Sequence, residues 1–200
     1  MCGRYYVDDE TAKEIERIIR LAEEKVSKAP QTPLVLQPGD IHPTDMAPIL
    51  MADNRTLCCH MQKWGLPGFD GKQVIFNARS ESALEKPTFR DAVAGRRIVV
   101  PAAGFYEWNG RKEKSTFYRK NHPALFMAGL YNPYEEGNRF VILTTAANPS
   151  MAPVHDRMPL LLEEEEILPW MLDPDAAKKI LLKVPYLLER KTEFEQLSLF

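Results

Sequence analysis

Cys2 is the residue in this sequence whose type and position best suit covalent chemistry. A small residue behind the initiator methionine normally allows Met1 to be removed, which leaves a cysteine with a free α-amine. The amine has an ordinary pKa of about 7.7 to 8.0 and the thiol of about 8.5, so both nucleophiles are partly available at neutral pH. An aldehyde could be captured twice, first by the amine as an imine and then by sulfur as a thiazolidine. The alternative is that Cys2 only begins a buried first strand.

Three further residues place polar groups among apolar neighbours. Asn77 follows a predicted strand, Glu107 lies between two aromatic residues on another, and His155 precedes an apolar strand. A carboxyl group and an imidazole in such surroundings suit proton transfer. The alternatives are an exposed strand carboxylate for Glu107, and a core or loop histidine for His155.

The elements that must position these residues are many short strands with a few helices. Helical periodicity predicts a first helix capped by Asp8 or Asp9. Thr88 and Asp91 have capping-box spacing, and Pro174 suits a first helical turn. Helices are predicted over 9–27, 89–95, 163–172 and 175–182, and strands over 49–51, 56–64, 73–77, 97–100, 104–108, 116–119, 124–130 and 139–145. This order predicts an α+β fold, with a curved, mostly antiparallel sheet or open barrel and flanking helices.

Length and composition exclude several classes of protein. A chain of 200 residues favours one domain, and a net charge of -2 argues against a protein that coats nucleic acid through bulk charge. No apolar run approaches the roughly 20 residues of a membrane span, and the N-terminus lacks a secretory pattern, so we expect a cytoplasmic monomer. Three cysteines and four histidines without metal-ligand spacing predict no metal or cofactor.

Five short motifs follow one another along the chain and span residues 1 to about 172. They are Met1-Cys2-Gly3-Arg4, Trp64-Gly65-Leu66-Pro67, Asn77-Ala78-Arg79-Ser80-Glu81, Gly104-Phe105-Tyr106-Glu107-Trp108 and His155-Asp156-Arg157-Met158-Pro159. In this order they resemble the SRAP family, the SOS response-associated peptidases that crosslink to abasic sites in single-stranded DNA.

The resemblance implies an active site and a DNA groove. The implied active-site residues are Cys2, Asn77, Glu107 and His155. The implied DNA contacts are Arg4 and Arg79 to phosphate, and an apolar wall for bases formed by Trp64, Leu66 and Pro67. Arginine suits phosphate because its planar fork of donors matches the oxygens. For Trp64 the alternative is an ordinary core tryptophan.

Three functional hypotheses remain open on the sequence. In the first, the Cys2 amine and thiol capture the aldehyde of an abasic site, with Glu107 and His155 moving protons and Asn77 orienting Cys2. In the second, the same residues form a cysteine-type autopeptidase or amidohydrolase, whose simplest reaction is removal of Met1. In the third, the protein binds single-stranded DNA without chemistry, and its binding depends steeply on salt.

The C-terminal residues suggest a partner. We predict one domain over 1–188 and a polar tail over 189–200 that ends in Gln196-Leu197-Ser198-Leu199-Phe200. These five residues resemble the motif by which bacterial proteins bind the sliding clamp, with Leu199 and Phe200 as apolar anchors. The alternative is that they pack as a last strand on the sheet.

Overall fold

A computed structural model describes residues 2–24, 37–53, 56–68 and 71–192. The strands in these ranges are β1 (Tyr5–Val7), β2 (Gly39–Ile41), β3 (Met46–Asp53), β4 (Thr56–Trp64), β5 (Leu66–Pro67), β6 (Val74–Ile75), β7 (Asn77–Arg79), β8 (Arg97–Ala102), β9 (Gly104–Trp108), β10 (Lys114–Tyr118), β11 (Leu125–Asn132), β12 (Arg139–Ala146), β13 (Arg157–Pro159), β14 (Leu161–Leu162) and β15 (Glu189–Thr192). The α-helices are α1 (Asp9–Glu24), α2 (Pro87–Gly95), α3 (Ile167–Leu172) and α4 (Pro174–Ile180). None of these helices is both long and apolar enough to cross a bilayer.

The largest sheet closes into a ring. Its strands run β12, β4, β3, β8 and β11, and β11 pairs with β12 again. Most of these pairings are antiparallel, whereas β12 pairs in parallel with β4 and with β7. The predicted α+β fold with a curved, mostly antiparallel sheet is therefore confirmed.

Side chains on the two faces of the ring form two apolar clusters, as the alternation of β-strand side chains requires. On β8, Ile98 and Val100 belong to one cluster together with Cys2 and Tyr5, whereas Val99 belongs to the other. The second cluster also takes in the apolar sides of all four helices. Cys2 therefore belongs to the apolar cluster that contains no residue of the four α-helices.

A second sheet carries the N-terminus. Its five strands run β15, β10, β9, β1 and β2. In β1, Tyr5 pairs with Phe105 of β9 and with Ile41 of β2. Gly104 is required beside this strand, because a Cβ there would lie 2.8 Å from the Tyr6 hydroxyl oxygen and 2.6 Å from the Phe117 carbonyl oxygen.

The ends of the helices can be compared with the predicted capping residues. Asp8 caps α1, because its Oδ1 accepts from the Thr11 amide at 2.8 Å, as predicted. Pro174 is the first residue of α4 and lies in its first turn, also as predicted. The capping box at Thr88 was wrong: α2 begins at Pro87 and has no side-chain cap. The ring of proline fixes the first helical residue without help from a capping side chain.

The C-terminal boundary also differs from the prediction. Residues Glu189–Thr192, predicted to begin a tail, form β15 and pair antiparallel with β10 from Ser115 to Tyr118. The polar composition of this run reflects an exposed edge strand, on which Glu189, Arg190 and Lys191 are all exposed. The fold therefore extends at least to Thr192, and the predicted motif at residues 196–200 lies outside the described residues.

Candidate active site

Cys2 is held at the entry to β1. The residue is 1% exposed, and its thiol lies 3.8 Å from the carbonyl oxygen of Arg4, to which it donates. The same carbonyl accepts from the amide of Tyr106 at 2.9 Å. The first residues of the chain are thereby fixed alongside β9, the strand that carries Glu107.

Asn77 reaches Cys2 from a distant part of the sequence. It begins β7, which pairs in parallel with β12 opposite Ile142. Its Nδ2 donates to the carbonyl oxygen of Cys2 at 2.8 Å. Its Oδ1 is buried and accepts no hydrogen bond from a described residue. The amide therefore holds the Cys2 peptide group with one end and has an acceptor left at the other.

Glu107 faces inward on β9 and is 5% exposed. The alternative of an exposed strand carboxylate is therefore wrong. Its Oε1 accepts from the amide of Trp108 at 3.3 Å. Burial, followed by the negative charge of Glu107, raises the pKa of the Cys2 thiol to about 12. Burial is the larger cause, and together with the carboxylate it keeps the thiol protonated at neutral pH.

His155 lies in the turn between β12 and β13, with about a quarter of its side chain exposed. Its Nδ1 is 3.0 Å from the backbone nitrogen of Arg157 and 2.8 Å from Oδ1 of Asp156. The two contacts need different protonation states, because the neutral nitrogen accepts from Arg157 whereas the protonated nitrogen donates to Asp156. Both contacts hold the ring within its own turn through Nδ1.

The two predicted phosphate ligands are both at the surface. Arg79 is exposed on β7, on the same side of the strand as Asn77. Arg4 is about one third exposed, with Nη1 3.9 Å from Oδ2 of Asp40. The Arg4 guanidinium also lies over the ring of Trp108, 5.3 Å from its centre. The predicted DNA contacts of Arg4 and Arg79 stay predictions.

The predicted apolar wall is mostly wrong. Trp64 is 0% exposed, and its indole N–H donates to the carbonyl oxygen of Phe76 at 2.8 Å. Leu66 is 1% exposed, whereas Pro67 is exposed. A buried ring cannot stack on a base, so Trp64 is the core tryptophan of the alternative interpretation. Only Pro67 of this motif stays a predicted DNA contact.

Trp108 and Tyr5 were missed by the sequence argument. Trp108 is partly exposed beside Arg4, and its position two residues after Tyr106 on a strand with alternating burial could have indicated its outward face. Tyr5 is fully buried in the Cys2 cluster, with a hydroxyl that has no hydrogen-bond partner among the described residues. Burial, and then the charges of Cys2 and Asp45, raise the Tyr5 pKa well above its ordinary value.

The structure brings together a cysteine near the N-terminus, a buried carboxylate and an amide that holds the backbone of the cysteine. His155 contacts Asp156 and Arg157 in its own turn. Within the described ranges, no group of three or more His, Cys, Asp or Glu could hold a metal ion. The thiol, carboxylate and imidazole that are present are groups that serve nucleophilic and acid–base chemistry.

Comparison with known proteins gives a consistent result. The family model described as SOS response associated peptidase (SRAP) matches residues 1–198. Abasic site processing protein YoqW of Bacillus subtilis is 29% identical, over 90% of this chain and 86% of its own length. Abasic site processing protein YedK of Escherichia coli is 29% identical, over 90% of this chain and 83% of its own length. A phage-related protein of Bordetella bronchiseptica shares the fold, with a TM-score of 0.74 at 24% identity over 96% of this chain and 93% of its own.

Proposed function

We propose that this chain, which belongs to the SRAP family, processes abasic sites in single-stranded DNA by forming a covalent bond through Cys2. The observation that supports this most directly is the hydrogen bond from Asn77 to the Cys2 carbonyl, formed beside the buried carboxylate of Glu107. A chain that used Cys2 only as the first residue of a strand would have no need to bring these polar groups into an apolar cluster. The names of relatives such as YoqW and YedK support the same substrate.

In the proposed reaction, hydrolysis of the Met1–Cys2 bond first frees the α-amine. The amine then attacks the aldehyde carbon of the ring-opened sugar, and the aldehyde oxygen takes a proton from His155. Glu107 accepts a proton from the nitrogen, and loss of water leaves an imine. Finally, sulfur attacks the imine carbon and the thiol proton passes to nitrogen, so that aldehyde and aminothiol become thiazolidine and water.

The state of the thiol favours this order of steps over a cysteine peptidase mechanism. A peptidase needs a thiolate as its first nucleophile, and such cysteines have lowered pKa values. In the chain that still carries Met1, burial raises the pKa of the Cys2 thiol to about 12, so sulfur is a poor first nucleophile at neutral pH. The α-amine that loss of Met1 frees has an ordinary pKa of about 7.7 to 8.0 and is partly available. Sulfur then reacts with an imine that is already bound beside it, where proximity compensates for the small thiolate fraction.

We assign the binding of single-stranded DNA to the protein surface beside the active-site residues. Arg79 is exposed on β7, the strand that begins with Asn77, and the partly exposed Arg4 lies between Cys2 and β1, which suits contacts from the two sides of one groove. Pro67 and the partly exposed ring of Trp108 provide apolar contacts for bases. The net charge of -2 means that binding depends on these local contacts.

The decisive experiment mixes the protein with single-stranded DNA that contains one abasic site, after mass spectrometry has verified Cys2 as the N-terminus. We expect an adduct that survives heat and denaturant on a gel. Cys2→Ser keeps the amine and loses the sulfur, so its adduct should require borohydride reduction to survive. If the verified protein forms no adduct, the proposal is wrong, and equal binding of intact and abasic DNA would then support a non-enzymatic binder.

The same preparations test self-processing. If Cys2→Ala or Glu107→Gln retains Met1 after expression while the wild type loses it, the protein removes its own methionine. If all three chains lose Met1 equally, another enzyme removes it. Neither outcome depends on the adduct assay, because the mass of the purified chain is the only readout.

We also propose that Gln196, Leu197, Ser198, Leu199 and Phe200 bind the bacterial sliding clamp. The support is the sequence motif, together with the position of β15, the last described strand, at the edge of its sheet. Tethering would raise the local concentration of the protein where single strands are exposed. A peptide of residues 193–200 should bind the clamp, and a peptide with Leu199 and Phe200 replaced by alanine should not. No binding by the first peptide would contradict the proposal.

A further inference from the structure

Two of the active-site motifs are joined by an ion pair across one strand. Thr144 of β12 pairs with Arg79 of β7 on one side and with Pro159 of β13 on the other. Arg157, on β13, reaches over this point, and its Nη2 donates to the Thr144 carbonyl oxygen at 2.7 Å. It then meets Glu81, which follows β7, so the guanidinium connects the two strands that flank β12.

The Arg157–Glu81 pair has the geometry of a strong contact. Nη1 and Nη2 donate to the two carboxylate oxygens of Glu81 at 2.7 and 2.8 Å, which is a two-pronged arrangement. The Arg157 side chain is only 12% exposed, while that of Glu81 is 45% exposed. The hydrogen bonds from Arg157 lower the Glu81 pKa, so the carboxylate is charged at neutral pH. Because the Arg157 side chain is largely buried, water and salt screen its charge only weakly.

Each half of the pair is adjacent to an active-site residue. Glu81 is in the 3-10 turn Ser80–Ser82, immediately behind the strand that begins with Asn77. The backbone nitrogen of Arg157 donates to Nδ1 of His155 at 3.0 Å. A shift of β13 relative to β7 would therefore move the imidazole relative to the amide that holds Cys2.

We infer that Glu81 is a positioning residue, which acts through Arg157 to set His155 against Asn77. This inference rests on the proposed function, because it assigns His155 a proton-transfer role in adduct formation. Glu81 itself contacts none of the reacting groups in the proposed reaction. Its loss should affect the rate of the covalent step, whereas the binding of DNA should persist.

The test compares Glu81→Gln, which keeps the shape of the side chain and removes its charge, with Glu81→Asp and with Glu85→Gln, a change at a nearby exposed carboxylate. Adduct formation is followed over time at several protein concentrations, which separates the maximum rate from half-saturation. We expect Glu81→Gln to lower the maximum rate about tenfold with half-saturation unchanged, Glu81→Asp to regain part of the rate, and Glu85→Gln to match the wild type. In a His155→Gln background, Glu81→Gln should have little further effect, since both changes act on one group.

Hydrogen exchange of residues 147–156 provides a readout that does not require chemistry. Glu81→Gln should accelerate exchange in this turn, because the ion pair no longer holds β13. If the wild type forms no adduct, the proposed reaction is wrong, and exchange alone then decides whether Glu81 orders the turn. If the wild type forms the adduct and Glu81→Gln has the same maximum rate, or lowers the rate equally in the His155→Gln background, the inference is overturned.

Discussion

Replacing Asn77 tests most directly whether the site is built to hold Cys2. Asn77→Ala removes the donor at 2.8 Å from the Cys2 carbonyl oxygen and leaves this carbonyl buried without that partner. Leaving a buried acceptor unsatisfied costs about 1–3 kcal/mol. If that energy holds Cys2 in its reactive position, the adduct rate should fall by about 5- to 150-fold. Asn77→Asp should do at least as much harm, since it removes the donor and adds a carboxylate near Glu107.

The assay is single-turnover adduct formation at saturating protein, stopped at intervals and resolved on a denaturing gel. Asn138→Ala is the matched control, because Asn138 is exposed in the turn between β11 and β12. Affinity for intact single-stranded DNA should not change in either variant, because neither removes a predicted phosphate contact. An Asn77→Ala rate within twofold of the wild type, with Cys2 verified as the N-terminus, would refute the view that this hydrogen bond positions the nucleophile.

Four other perturbations give distinct outcomes. Tyr5→Phe removes a buried hydroxyl that has no partner among the described residues, so the free energy of unfolding in urea should rise by about 1 kcal/mol; a fall would show that the hydroxyl is satisfied. Asp40→Asn removes the carboxylate that competes with phosphate for Arg4, so affinity for single-stranded DNA should rise about 2- to 5-fold at low salt and the gain should shrink at high salt. Trp108→Leu should weaken the affinity for single-stranded DNA by about 1–3 kcal/mol and leave the midpoint of thermal unfolding unchanged. A large drop in that midpoint would show that the Trp108 ring belongs to the core. The hydrogen bonds from Arg157 lower the Glu81 pKa from 4.5, so the stabilisation by this carboxylate is present above pH 4.5 and is lost as pH falls through the lowered pKa. The difference in unfolding free energy between wild type and Glu81→Gln should therefore narrow as pH falls below about 4.5, and a constant difference would contradict the ion pair.

Much of the secondary structure could be predicted because the signals were local. The helical spacing behind Asp8 and the turn at Pro174 depend on neighbouring residues only, and both helices form there. The strands β4 (Thr56–Trp64) and β9 (Gly104–Trp108) also have the predicted bounds. The aromatic neighbours of Glu107 suggested its burial locally, whereas the approach of Asn77 to Cys2 was expected only from the resemblance of whole motifs, since no local pattern links residues 75 positions apart.

The missed elements are those that depend on distant partners. Strands of three residues, such as β2 (Gly39–Ile41) and β13 (Arg157–Pro159), carry too few side chains for a periodic pattern and form because β1 and β12 lie beside them. The polar run of β15 (Glu189–Thr192) is a strand only because the edge of β10 is available. The neighbouring strands decide whether such segments form strands. The polar composition of β15, taken alone, indicates a tail.

The Trp64 motif shows why a resemblance in sequence does not by itself separate contact residues from supporting ones. Gly65 has φ of +108°, and a Cβ at this position would lie 2.3 Å from Cγ1 of Val74, so the residue after the tryptophan must be glycine for the chain to turn there. The turn leaves the Trp64 ring inside the core, where it meets Tyr5 edge-on with the ring centres 5.1 Å apart. Tyr5 is the first residue of β1, and the chain that leads into β1 carries Cys2. The motif therefore acts on the proposed nucleophile through packing, by supporting the strand from which Cys2 extends.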